Sequence, residues 1–116
     1  MTDSEKLART CAEAVADKKA ENIVLLDMRA VSDFTEFFLI CSASSDPQLK
    51  AISSSIRGKV REDLGVNPSA ADGFPTSQWL VLDYGSVICH LFVESKRAFY
   101  DLEGLWSDAT RVPLDV

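Results

Sequence analysis

Trp79-Leu80-Val81-Leu82-Asp83-Tyr84-Gly85-Ser86-Val87-Ile88-Cys89-His90-Leu91-Phe92-Val93 is the stretch that decides how this chain folds. Two short, apolar, β-prone runs flank Tyr84-Gly85, the composition of a β-hairpin. With Tyr84 and Gly85 as the central turn residues, Asp83 pairs with Ser86, Val81 with Ile88, and Trp79 with His90. Side chains alternate across a strand, and directly paired residues share a face. One face is then Leu80, Leu82, Val87, Cys89, Leu91 and Val93, wholly apolar and suited to packing against helices. The other is Trp79, Val81, Asp83, Ser86, Ile88, His90 and Phe92, which mixes aromatic, acidic and imidazole groups. That second face reads as a surface meant to meet a partner. A bulge in either strand would exchange the two faces.

Ser95-Lys96-Arg97-Ala98-Phe99-Tyr100-Asp101-Leu102-Glu103-Gly104-Leu105-Trp106 follows almost without a linker and reads as helical. Phe99, Leu102 and Leu105 are assigned to core packing. From Trp106 to Val116 the chain reads as a tail. Upstream, Val66 to Gln78 carries Asn67, Pro68, Ser69, Gly73, Pro75 and Thr76 and reads as a loop crossing to the sheet edge.

Before that loop, Ser44-Ser45-Asp46-Pro47 starts a helix, with Asp46 as cap and Pro47 at the first helical position. Leu49, Ile52, Ile56, Val60 and Leu64 make its apolar stripe, and Gly65 stands where a C-terminal cap belongs. Lys50, Arg57, Lys59 and Arg61 fill the solvent side, a basic face that the net charge assigns to solvation rather than phosphate contact. Asn22 to Met28 and Thr35 to Ala43 are two apolar strands joined by a short polar link, so they are expected as antiparallel neighbours. Thr2-x-x-Glu5 has capping-box spacing, and Leu7, Cys11, Ala14 and Val15 then recur at helical intervals to about Lys19. The order helix, strand, strand, helix, strand, strand, helix predicts a small α/β (α+β) fold, with a mixed sheet of four or more strands. The helix after Pro47 is long enough to connect parallel strands.

At 116 residues the chain fits one domain, spanning 1–116, and its 47% hydrophobic content is enough to fill one core. Its 18 acidic residues against 12 basic ones give a net charge of −6, which argues against direct nucleic-acid binding, sequence-specific binding included, and favours a basic protein partner. Cys11, Cys41 and Cys89 are odd in number and unclustered, which suggests buried free thiols in a reducing compartment, not disulfides or a zinc site. Neither a signal peptide nor a membrane-length apolar run is present, so a cytoplasmic protein is expected.

No catalytic set assembles from these residues. His90 is the only imidazole; its neighbour Cys89 points to the opposite face, and Ser86 has no base behind it beyond Asp83. Asp27, Asp33, Asp46 and Asp83 are scattered, with no Asp-x-Asp pair to hold magnesium. Ser42-Ala43-Ser44-Ser45 lacks the glycines and lysine of a phosphate loop, and capping explains it. No enzyme, cofactor or metal is expected. Trp79, Tyr84, Phe92, Tyr100 and Trp106 gather around the hairpin instead, and aromatic anchors dominate protein interfaces.

These motifs resemble the Iojap-like ribosomal silencing factor family. Asp33-Phe34-Thr35-Glu36-Phe37-Phe38-Leu39-Ile40-Cys41-Ser42-Ala43-Ser44-Ser45 is similar to that family's strand and loop, and Pro47 to Ile52 is similar to the helix start after it. Trp79 to Phe92 resembles its hairpin, and Arg97-Ala98-Phe99-Tyr100-Asp101-Leu102-Glu103-Gly104-Leu105-Trp106 resembles its ending. Glu36, Phe37, Ala43 and Ser86 stand where the family pattern has Asp, Tyr, Gly and Asp. The resemblance implies a mixed sheet with nucleotidyltransferase-like topology but no such activity. It implies a factor that binds the large ribosomal subunit through ribosomal protein number fourteen. Joining of the small subunit would thereby be blocked, and translation lowered when nutrients are scarce. A homodimer and a role in large-subunit biogenesis are implied alternatives, with a nucleotide-binding enzyme behind them. Carried onto matching positions, the partner-binding residues are Trp79, Asp83, Tyr84 and His90, with Ser86, Phe92 and Tyr100 behind them.

Overall fold

A computed structural model describes residues 3–74 and 78–114. Its centre is β2, Phe37–Ala43, in which every residue is buried. That is the consequence of a near-continuous apolar run, which is stable only when both sheet faces are covered. β2 pairs antiparallel with β1, Glu21–Asp27, and parallel with β5, Val87–Val93. β4, Trp79–Asp83, and β3, Ala70–Phe74, extend the sheet on one side, and β6, Thr110–Val112, closes the other. The order is β3-β4-β5-β2-β1-β6. Six strands thus satisfy the expected mixed sheet.

Two helices cover one sheet face. In α1, Ser4–Asp17, the buried stripe is Leu7, Ala8, Cys11, Ala12, Ala14 and Val15. Its cap is Asp3, whose carboxylate accepts from the Glu5 amide at 2.9 Å; Thr2, the expected cap, lies outside the described residues. The next helix, α2, spans Asp46–Leu64 and buries Leu49, Ile52, Ile56 and Val60. Here the cap is Ser45, one residue before the expected Asp46: its hydroxyl accepts from the Gln48 amide, while Pro47 fills the first turn. Gly65 ends α2 at φ 67°, the left-handed conformation that the absence of a Cβ makes cheap.

The hairpin closes one residue later than the sequence suggests. The Tyr84 amide donates to the Val87 carbonyl at 2.9 Å, so Gly85 and Ser86 are the central pair. Gly85 sits at φ 84°, the positive value that a II′ turn requires at its first central position. The Asp83 carboxylate accepts from the Gly85 amide at 2.7 Å, and the Ser86 carbonyl accepts from the amides of Glu36 and Phe37. Asp83 therefore pairs with Ile88, Val81 with His90, and Trp79 with Phe92. The partner strand has moved by two residues, an even step, so the strand residues keep their predicted faces, while Ser86 leaves the second face for the turn.

Two segments read as irregular are strands. Ala70–Phe74 lies in the expected loop yet pairs with β4, and Gly73 lies opposite Leu80, whose side chain fills the space a Cβ would need. Pro75 and Thr76 of that loop lie outside the described residues. Thr110–Val112 lies in the expected tail yet pairs with β1; Asp115 and Val116 lie outside the described residues. The helical segment after β5 is also two helices, α3, Glu94–Tyr100, and α4, Leu102–Leu105, separated by Asp101 at φ 45°. They lie on the sheet face that α1 and α2 leave open.

Candidate functional site

The C-terminal segment makes the second face partly a core and partly a surface. Tyr100, Leu102 and Trp106 pack onto Leu26, Met28, Phe38, Ile40 and Phe92. Trp79 stacks on Phe92 at 5.1 Å and 25°, and Tyr100 lies 4.6 Å from Trp79. Trp106 meets Phe38 edge-on at 6.0 Å, and Phe34 adds a third ring 6.1 Å from each of them. Phe34 is 60% exposed, so this aromatic array begins in the core and ends in solvent.

His90 sits beneath the array. The Trp79 indole N–H donates to its Nδ1 at 3.3 Å, which leaves the imidazole proton on Nε2. That Nε2 is buried without a partner. Phe38 and Phe92 flank the ring, and burial pushes its pKa down to about 4. With Nδ1 accepting from Trp79 and the proton on Nε2, the imidazole has no free lone pair in this arrangement.

The seven residues expected at the site are not all brought together. Trp79, Asp83, Ser86 and Tyr100 are half-buried and belong to the second face or its turn. His90 and Phe92 are on that face but buried, so in this structure they support the surface from below and present no contact of their own. Tyr84 follows Leu80 and Leu82 onto the opposite face, where it packs against the core under α1 and α2. Its hydroxyl is buried without a partner, and desolvation raises its pKa.

Phe99 and Leu105 correct the sequence reading outright. Expected in the core, they are 77% and 72% exposed, because α3 and α4 meet the sheet through Tyr100, Leu102 and Trp106. Among the described residues Phe34 is the other large exposed apolar side chain, and it lies just past the polar link between β1 and β2. It borders a concavity of about 480 Å³ lined also by Arg29, Asp33, Glu36, Gly85 and Ser86. Asp33, Glu36 and Asp83 thus edge the aromatic array with acid, while Arg29 is tied to Asp27 at 2.6 Å.

Beyond this packing, one side chain anchors the C-terminal segment through polar contacts. Arg97 is only 12% exposed and pairs with Glu103 at 2.7 Å. It also donates to the Ser42 hydroxyl at 2.9 Å and to the Asn22 carbonyl. Asn22, at φ 51° in an irregular part of β1, turns that carbonyl out of the ladder. Glu103 reaches Arg111 of β6 as well, and the hydrogen bond from Arg97 holds its carboxyl below the usual range.

Among the described residues, no three His, Cys, Asp or Glu side chains converge as metal ligands. Ser44 and Ser45 spend their hydroxyls on Gln48, as capping requires. Cys11, Cys41 and Cys89 are buried free thiols in the core under α1. Burial raises Cys41 to about 12, and a hydrogen bond with Cys11 together with burial raises Cys89. No described helix is long and apolar enough to cross a membrane.

Fold and site together define a small α+β domain: a mixed sheet closed by two helices on one face and partly open, aromatic and acid-edged on the other. The family model described as ribosomal silencing factor during starvation matches residues 1–116, and the chain belongs to that family. The ribosomal silencing factor RsfS of Halalkalibacterium halodurans is 38% identical over 97% of this chain and 95% of its own length. That of Bacillus subtilis is 36% identical with the same two coverages, 97% and 95%. The chloroplastic protein Iojap of Zea mays is 37% identical over 92% of this chain and 46% of its own. A crystal structure of a Chromobacterium violaceum protein superposes with a TM-score of 0.86 at 25% identity, covering 99% of this chain and 94% of that one. One from Bacillus halodurans gives 0.80 at 36% identity, covering 95% and 99%.

Proposed function

We propose that this chain binds the large ribosomal subunit through ribosomal protein number fourteen and so keeps the small subunit from joining. The observation that carries the reading is the second sheet face, aromatic at its centre and acidic at its edge. Ribosomal proteins are basic, so Asp33, Glu36 and Asp83 would steer the encounter, while Trp79, Phe34 and Ile88 supply apolar contact area. Trp79, Asp83, Ser86 and Tyr100 are the contact residues; His90 and Phe92 keep Trp79 in place. Occupancy is sufficient for silencing, and no bond need be made or broken. The chain acts in the cytoplasm, where subunits join.

The test combines Trp79→Ala with Asp83→Asn, which removes the charge but keeps an acceptor for the Gly85 amide. Calorimetric titration against the isolated ribosomal protein should show affinity reduced by about tenfold or more, as for loss of an interface anchor. Circular dichroism should show the fold intact. Unchanged affinity in a folded double variant would place the contact elsewhere.

Phe99 and Leu105 favour a second reading, a homodimer formed through α3 and α4. Two large, exposed apolar side chains on neighbouring helices are the usual material of such an interface. Sedimentation velocity on Phe99→Ser with Leu105→Ser should then give a monomer where the wild type gives a dimer.

A further inference from the structure

The outer side of α2 carries basic side chains that sit in no ion pair among the described residues. Lys50, Ser54, Arg57 and Arg61 are exposed. At 3.6 residues per turn they fall within an arc of about 60° and extend about 16 Å along the axis. No acidic residue lies among them on that arc. Arg9, Arg29, Arg97 and Arg111 each sit in an ion pair; Arg57 and Arg61, both on this stripe, have none among the described residues. Lys59, on the α1 side of the same helix, is bound to Glu13 and Asp63. The Gln48 side-chain amide donates to the carbonyls of Lys18 and Lys19, which brings two more exposed lysines to the end of the helix bearing Lys50. In a chain of net charge −6 this basic stripe is the exception; the neighbouring acids on the helix, Asp46 and Glu62, lie outside its arc.

We propose that this stripe of α2 is a contact surface for the phosphate backbone of RNA. Its makeup selects among polyanions. A protein interface needs an aromatic or aliphatic anchor, and between Lys50 and Arg61 this arc holds none. A membrane-surface helix needs a free apolar face, and the apolar face of α2 is buried in the core. What remains is charge with a hydroxyl donor, which is how sequence-independent backbone contacts are made. The stripe lies on the helix-covered side of the sheet, away from the aromatic face, so both surfaces can be engaged at once. That the RNA is ribosomal rests on the function proposed above; the phosphate contact itself does not.

The test measures anisotropy of a short fluorescein-labelled RNA duplex with the full chain as salt is varied. K50Q/R57Q/R61Q should bind about tenfold or more weakly at low salt, and its log–log salt slope should be shallower by about two to three. Binding retained by K50R/R57K/R61K, and by K6Q/R9Q/K96Q with the same net charge as the glutamine variant, would assign the loss to this stripe. A wild type that does not bind, or a K50Q/R57Q/R61Q protein with unchanged slope, would overturn the proposal. So would equally tight binding to phosphatidylglycerol vesicles or polyglutamate. If the wild type binds the duplex but fails to pellet with large subunits, the ribosomal reading fails and the phosphate surface stands.

Discussion

Trp79 and His90 are diagonal neighbours on β4 and β5, and each fixes what the other can do. The indole N–H occupies Nδ1, and the surrounding rings exclude water, so the imidazole stays neutral well below its usual range. The folded pKa is depressed, so the unfolded chain binds the proton first. Stability from this site is complete above about pH 6.5 and is lost as the pH falls toward 4, by about 3 kcal/mol in total. Urea unfolding between pH 7 and 4 should show this loss in the wild type. His90→Gln keeps an acceptor for Trp79 but does not titrate, so its stability should fall by less over the same range. Equal pH dependence in both proteins would contradict the buried neutral state. The three thiols give a second prediction at this scale. Being buried and, for Cys41 and Cys89, raised in pKa, they should resist a disulfide reagent in buffer and react only on unfolding.

Among elements, the C-terminal segment decides what the second face becomes. Arg97 joins α3 to β1 and β2, and Glu103 passes the link on to β6. Arg97→Met would leave the Asn22 carbonyl without its donor and the Glu103 carboxylate with Arg111 alone, at a cost of about 2 kcal/mol. Amide exchange should accelerate across residues 94–112 while the helices α1 and α2 stay protected. Uniform acceleration would deny the segment a local hold. This is also where sequence reading reached its limit. The even-numbered step of the hairpin left its faces legible, and the stripes of α1 and α2 were legible from spacing alone. Ala70-Ala71-Asp72-Gly73-Phe74 has little β propensity and is a strand because β4 offers it a ladder. Thr110-Arg111-Val112 is too short to signal itself and exists by pairing with β1. Partners remote in sequence make both strands.

On the scale of the whole molecule, the same remoteness explains the site. Trp79 and Asp83 could be placed on one face from alternation, whereas Ser86 belongs to the turn and the burial of His90 and Phe92 depends on a segment that folds back over them. Tyr84 could not be assigned a face while it was counted as the turn. Phe34, Phe99 and Leu105 gave no sign of exposure, since large apolar residues are expected inside. What emerges is a chain with two unlike surfaces: an aromatic, acid-edged sheet face and a basic helix stripe on the other side. The central claim is that the first of these takes the large ribosomal subunit out of circulation. Co-sedimentation of the purified chain with isolated large subunits, isolated small subunits and joined ribosomes tests it most directly. The account predicts pelleting with large subunits alone, and fewer joined ribosomes when the subunits are remixed in its presence. Absence of binding to any particle at near-physiological salt, or binding that leaves subunit joining unchanged, would contradict it.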